Sequence, residues 1–397
     1  MPTFEKLSGL ISLASNTPGS PTGYGQQAQY LVERLVRHGI KTASLSNYGL
    51  EGSVGSLRVK HGEVAHYPRG VAPYSQDVLT PWHEAHRTHY DRTLKHALMT
   101  LYDVWVYNAW QGDAPIISWV PLDHVTMPPG VAEWLRRDQV TPVAMSPFGQ
   151  RQLAGADIDS VYIPHGVDTK VFQRTSKVDG VSGRDFLGVP DDTFLVSMVA
   201  ANKADGRVHR KAFGENFLAF AMFLEKRPDA HLYVHADPAP NSGGFDLGVL
   251  AKAVGIPVSK VTFANRDQLR VGYSQERLAS IYSASDVLLA PSYGEGFGVP
   301  TVEAQACGTR VIASGWAASA DLVADDGFLV EGQPFWDEPQ KAFFQVPLVG
   351  SVVSALVQAY DVGQGFSAVS RKFALQFDVE TVWDGLWMPF LRDYFAS

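Results

Sequence analysis

The stretch from Ala284 to Gly315, ASDVLLAPSYGEGFGVPTVEAQACGTRVIASG, constrains the fold of this chain more than any other. Its short apolar run, Val287 to Ala290, has the length and the flanks of a buried strand, and Pro291 ends it. Glycines at 294, 296 and 298 then make an open loop in which the backbone can approach a ligand closely. Pro300 suits a first helical position and Gly308 the residue just past a helix end, so the pattern predicts a short helix over 300–307 and a further strand over 310–313. A glycine loop running from a strand into a helix aims several N–H groups and the positive end of the helix dipole at one point. That point suits an anion, most often a phosphate.

Two carboxylates flank the loop. Glu295 stands at its tip, and Glu303 is expected on the first turn of the helix, facing the same mouth. Facing a phosphate they would repel it, so their expected role is to accept hydrogen bonds from hydroxyls on either side of it. Hydroxyl, phosphate and hydroxyl in series describe a nucleotide sugar. A dinucleotide fingerprint fits less well, because G-x-G-x-x-G is not matched and the loop lies late in the chain.

At these residues, EGFGVPTVE followed by AQACGTRVI, the sequence resembles the retaining GT-B glycosyltransferases of family 4, with their paired glutamates seven residues apart. The resemblance implies an α/β chain of two Rossmann-like domains whose parallel sheets face a central cleft. It assigns the donor sugar and diphosphate to Glu295, Gly296, Phe297, Gly298 and Val299, and the ribose to Glu303. It places the phosphate-binding lysine at Lys211, in the loop NKADGRVHRKAF, where Lys203, Arg207, Arg210 and Lys211 gather four positive charges suited to a diphosphate. Lys203 and Arg210 compete as the second phosphate ligand.

The first half begins with a strand expected over Leu7–Ala14, a loop rich in Gly, Pro and Ser, and a helix whose apolar positions run Ala28, Leu31, Val32, Leu35 and Val36. With a further strand over 41–46, this order implies a parallel sheet with a ligand mouth at its strand ends. In the resembled family the glycine loop here, Gly23, Tyr24 and Gly25, shapes the acceptor side. Two more buried strands are expected over Asp103–Tyr107 and Ile116–Val120. The second ends in PLDH, which puts Asp123 on the acceptor side and makes His124 the candidate for the histidine that family members carry near the reacting sugar, the alternative being a core or surface histidine. The run from His83 to His89 lacks the spacing of H-E-x-x-H, since position 87 is arginine, and reads as a solvated or acceptor-facing helix. His165, where the family more often has asparagine, reads as structural.

The 397 residues allow two domains, expected over 1–180 and 181–378, with residues 379–397 as a helix returning to the first. At 45% hydrophobic and 19% charged the composition is that of a soluble globular protein. A single cysteine, Cys307, excludes internal disulfides and fits a reducing compartment. With no long apolar run and no leader-like N-terminus, a cytoplasmic location is expected. A net charge of −8 does not support a large nucleic-acid surface.

The expected activity is therefore transfer of a sugar, with retention, from a nucleotide-diphosphate sugar, a UDP- or GDP-sugar foremost, to a hydroxyl on an envelope glycan, lipid, protein or small metabolite. A viral-type transferase acting on a DNA base, an epimerase or phosphorylase of the same fold, and a non-catalytic nucleotide-sugar sensor are the other readings. No cofactor and no metal are expected, because lysine, arginine and the helix dipole replace one. Glu295 is expected to orient the sugar rather than to attack it.

Overall fold

The computed structural model describes residues 4–49, 52–107, 109–204, 208–239 and 243–396. It divides into two compact units. One takes the chain up to Leu122, then Thr126–Gly166, then everything from Val379 on; the other takes Asp123–Val125 and Val167–Asp378. The division thus falls after Gly166 rather than near 180. Asp123–Val125 groups with the second unit because Val125 exchanges backbone hydrogen bonds with Phe343.

The first unit is built on an eight-stranded sheet. From edge to edge its strands are Gly55–Val59, Gly62–Tyr67, Lys41–Ser46, Leu10–Ser15, His96–Thr100, Ile116–Val120, Val140–Ala144 and Val161–Tyr162. Only the first pair is antiparallel. The strand order reverses at Leu10–Ser15, which lies between Lys41–Ser46 and His96–Thr100.

Two expectations for this unit fail. Val104–Tyr107 is a 3-10 turn, not a strand; the strand is His96–Thr100, and the turn is apolar because Tyr107 packs on Trp134, ring centroids 5.4 Å apart. The helix Leu79–Thr88 does not turn its histidines to solvent. His83 and His86 are buried against the sheet, where His83 Nδ1 meets Ser12 Oγ at 2.8 Å and its Nε2 meets His96 Nδ1 at 3.0 Å. Burial holds both rings neutral, near pKa 3 and 4 respectively.

The chain from Val379 completes this unit. Glu380 receives Arg34 at 2.6 Å and Arg37 at 2.8 Å, Trp383 Nε1 reaches His38 Nε2 at 3.1 Å, and Trp387 stands edge-on to Trp119. His165 is buried and stands edge-on to Trp119, with ring centroids 4.5 Å apart.

The second unit has a six-stranded, wholly parallel sheet in the order Val261–Phe263, Ala230–His235, Phe194–Val199, Val287–Leu289, Arg310–Ser314, Phe328–Val330. Its core is closed by the helices Phe213–Lys226 and Val349–Val362, with Phe213, Phe217, Phe220 and Phe223 repeating at helical spacing against Phe194, Val196 and Leu232. A separate antiparallel hairpin, Gly332–Asp337 paired with Ala342–Pro347, lies outside this sheet. Among the described residues no helix is long and apolar enough to cross a membrane.

Candidate functional site

In the second unit the strand order reverses between Phe194–Val199 and Val287–Leu289, the place where open parallel sheets take their ligands. The loops leaving the C-terminal ends of these two strands meet. The first carries Lys203, Arg210 and Lys211 into the helix Phe213–Lys226, and the second carries Gly294 to Gly298 into the helix Val299–Ala306. Backbone and side chain tie them together: Tyr293 N–H donates to the Arg210 carbonyl at 2.7 Å, and Asn216 Nδ2 on the first helix donates to the Pro291 carbonyl at 3.0 Å.

At the junction the Lys211 ammonium pairs with the Glu295 carboxylate. Arg210 Nη1 donates to the Gly294 carbonyl at 2.9 Å and lies 3.5 Å from Glu295. Burial alone would push the Glu295 carboxyl up, but the charges of Lys211 and Arg210 outweigh it and hold the group below its usual range. Lys211 is pushed down, chiefly by burial and next by the Arg210 charge alongside. Two cations, Lys211 and Arg210, thus converge on the Glu295 carboxylate in a partly dry pocket. Lys203 stands exposed near the start of its loop, so Arg210 is the second cation that the described contacts bring to Glu295. Arg207 lies outside the described residues.

The glycine loop serves two purposes. Gly294 passes so close to the 123–125 segment that a Cβ there would sit 2.3 Å from the Asp123 carbonyl oxygen. Gly298 has φ +100° and forms the N-cap of the helix Val299–Ala306, where among the described residues no side chain caps the amides. Gly296 and Phe297 are buried, and the Phe297 ring turns inward, edge-on to Phe377 at 5.7 Å, so only its backbone serves the loop.

The helix begins at Val299, which puts Glu303 on its second turn, not its first. Glu303 is 3% exposed, and its carboxyl accepts from the Tyr282 hydroxyl at 3.0 Å. Burial raises it to about 7, against a Tyr282 bond that works to lower it.

Asp123, expected on the acceptor side, and His124, expected near the reacting sugar, both in the first domain, belong to this same cluster in the second unit. Asp123 Oδ2 is 3.7 Å from Arg210, and Asp123 Oδ1 is 2.7 Å from His124 Nδ1. His124 Nε2 meets Asp337 Oδ2 at 3.1 Å, and the ring stacks on Phe344 at 3.7 Å. Burial disfavours a charged ring here, but the two carboxylates outweigh it and raise the His124 pKa. Both ring nitrogens are thus occupied by carboxylates. Asp337, 213 residues away from His124 and on the outlying hairpin, has no local sequence signal.

Gly23, Tyr24 and Gly25 are not a loop but the first turn of the helix Gly23–Arg37, capped by Thr22 Oγ1 accepting from Gly25 N–H at 2.9 Å. They stand at the reversal of the first sheet, where Tyr24 Oη donates to Asp103 at 3.4 Å. Among the described residues no three His, Cys, Asp or Glu side chains gather as a metal site would require.

Residues 218–340 match the family model described as Glycosyl transferases group 1. A D-inositol 3-phosphate glycosyltransferase from Nocardiopsis dassonvillei is 35% identical over 179 residues, which is 43% of this chain and 38% of that protein. The chain therefore matches well under half the length of this curated relative. Among solved structures, sucrose-phosphate synthase from Thermosynechococcus elongatus superposes with a TM-score of 0.72 at 18% identity, covering 98% of this chain and 100% of that one. HepE from Anabaena, solved with UDP and glucose, gives 0.61 at 16% identity over 98% and 100%. The chain has the GT-B fold of these neighbours, and residues 218–340 carry a glycosyl transferases group 1 domain.

Proposed function

We propose that this chain is a retaining glycosyltransferase that takes its sugar from a nucleoside diphosphate sugar, UDP- or GDP-linked foremost, and passes it to a hydroxyl acceptor. The observation that carries this reading is the convergence of Lys211 and Arg210 on Glu295 at the glycine loop, one step before a helix N-terminus. A dianionic diphosphate meets there two cations and a set of backbone amides, the arrangement that stabilises charge as it builds on a leaving group.

In this reading the bond between the anomeric carbon and the diphosphate oxygen breaks while the acceptor hydroxyl attacks the same face. The acceptor proton passes to the departing phosphate. Lys211, Arg210 and the amides at Gly298 and Val299 hold the developing negative charge. Glu295, released from part of its pairing with Lys211 as the phosphate arrives, accepts from sugar hydroxyls. Glu303 accepts from the ribose. Gly23, Tyr24 and Gly25 serve the acceptor. The neighbour solved with UDP and glucose supports a UDP-sugar as the first donor to try. The chemistry asks the protein for position and charge rather than for a metal.

The test is incubation with UDP- and GDP-sugars, following nucleoside diphosphate release and the anomeric configuration of the product by NMR. Release with one donor and a product of unchanged configuration is expected. An inverted product overturns retention, and no release with any donor, with or without added acceptors, overturns the transferase reading.

A further inference from the structure

The hairpin Gly332–Pro347 has two unlike faces. Asp337 and Phe344 lie on one, buried against His124, while Trp336 and Phe343 form an edge-to-face pair on the other, 45% and 39% exposed. An acid buried on a strand pair that is otherwise largely apolar costs desolvation, and an apolar residue of similar size would pack there without that cost. The ion pairs running inward from Asp337 show what the carboxylate does. It holds His124 at 3.1 Å, His124 holds Asp123 at 2.7 Å, and Asp123 stands 3.7 Å from Arg210. Asp123 thus makes its short contact with the imidazole and its long one with the guanidinium.

We propose that Asp337 is a positioning residue for the donor diphosphate: by holding His124 as an imidazolium it satisfies Asp123 and keeps Arg210 from being drawn onto that carboxylate and away from the phosphate. The inference rests on the donor-site reading given above. If His124 were neutral, the Asp123 charge would lose its imidazolium partner, leaving Arg210, 3.7 Å away, and then Lys211 as the cations acting on it. Closing the 3.7 Å gap to a tight pair would pull Arg210 from the Gly294 carbonyl and from Glu295, where its contacts are 2.9 and 3.5 Å.

The groups that decide the charge on His124 are few. Asp123 and Asp337 face its two nitrogens and favour the proton. Arg210 and Lys211 act on Asp123 from its far side, Glu295 lies beyond them, and Phe344 covers the ring face. Burial opposes the charge, yet the two carboxylates prevail and the midpoint lies above the usual histidine value. Removing one of them moves that midpoint toward acid.

The experiment is calorimetric titration with UDP-glucose, and with GDP-mannose as second probe, from pH 5.5 to 8.5; their diester diphosphates do not titrate in that range. Wild type, Asp337→Asn, Asp337→Glu and Trp336→Ala are compared. All variants are compared in a Glu303→Gln background as well, because the Glu303 carboxyl titrates near 7 in the same site. Wild-type affinity is expected to fall as pH passes the His124 midpoint. In Asp337→Asn the same fall comes about one pH unit earlier, which near the wild-type midpoint is a loss of about fivefold. Asp337→Glu restores the wild-type profile, and Trp336→Ala, on the outer face, leaves it unmoved. Should Asp337→Asn fail to fold, His124→Gln carries the test, expected to bind at all pH values with the weaker affinity of wild type at high pH. Binding that does not depend on pH in wild type, or an unmoved midpoint in Asp337→Asn, overturns the relay alone. Absence of binding to wild type at every pH strikes the donor-site reading, and the relay with it.

Discussion

A carboxyl that is buried and titrates near neutrality leaves a mark on stability, and Glu303 is such a group. Its folded pKa of about 7 stands above the ordinary 4.5, so the fold favours the protonated form. That contribution is whole below the unfolded value and is lost as pH rises through the folded one, a cost of about 3 kcal/mol when complete. Glu303→Gln should therefore unfold at a higher temperature than wild type at pH 8 and at a similar one at pH 4. If the same carboxylate binds the ribose, the variant should also lose about tenfold in nucleotide affinity, the worth of a hydrogen bond to a charged group. A variant that is both more stable and a poorer binder marks a site under strain for function; unchanged affinity would make Glu303 structural. At Lys211 the two effects have the same sign. Lys211→Met removes a charge aimed at the leaving group and leaves Glu295 with Arg210 alone, so turnover should fall by about 10²–10³. A fall of less than about threefold in kcat would remove Lys211 from the proposed mechanism.

At the scale of the element, the strand, loop and helix around Gly294–Ala306 depend on backbone that only glycine supplies. Gly298→Ala meets no close atom, since the nearest is Thr301 Oγ1 at 3.6 Å, so its cost is the left-handed φ itself, about 1–2 kcal/mol. Gly294→Ala instead drives a Cβ into the Asp123 carbonyl and must move one of the two segments. Urea unfolding should show a modest loss for the first and a larger one for the second, and equal losses would contradict this division. These same glycines, with Pro300 and Gly308, made the element legible from sequence to within a residue or so at each end, because turn and cap chemistry is local. Val104–Tyr107 was not legible, because a short apolar run looks alike in a strand and in a packed 3-10 turn. Nor was the burial of His83 and His86, which depends on the Ser12, His96 and Lys41 partners that only the tertiary fold supplies. Asp337 is the clearest case: hairpins carry acids commonly, and only the approach of His124 gives this one a role.

For the whole molecule, each unit owes part of its integrity to a distant stretch of chain. The first unit takes Val382, Trp383, Trp387, Met388 and Leu391 into its interior from the end of the sequence, and burial of each large side chain is worth about 1.5–3 kcal/mol. A chain ending at Asp378 should expose that surface and lose protection from proteolysis in residues 4–166, while the second unit keeps its resistance. Equal digestion of both units would show that they do not fold as separately as their contacts divide. The second unit, for its part, takes Asp123–Val125 from within the first, and with them the carboxylate that faces Arg210. The claim on which all of this depends is that the Lys211, Arg210 and Glu295 cluster receives a nucleoside diphosphate. The direct measurement is thermal unfolding of wild type and Lys211→Met against UDP, GDP, ADP and TDP, since a ligand that binds only the folded state must raise its unfolding temperature. A rise with one nucleotide that shrinks in the variant is the expected result; no rise in wild type with any of the four, or an equal rise in the variant, would contradict it.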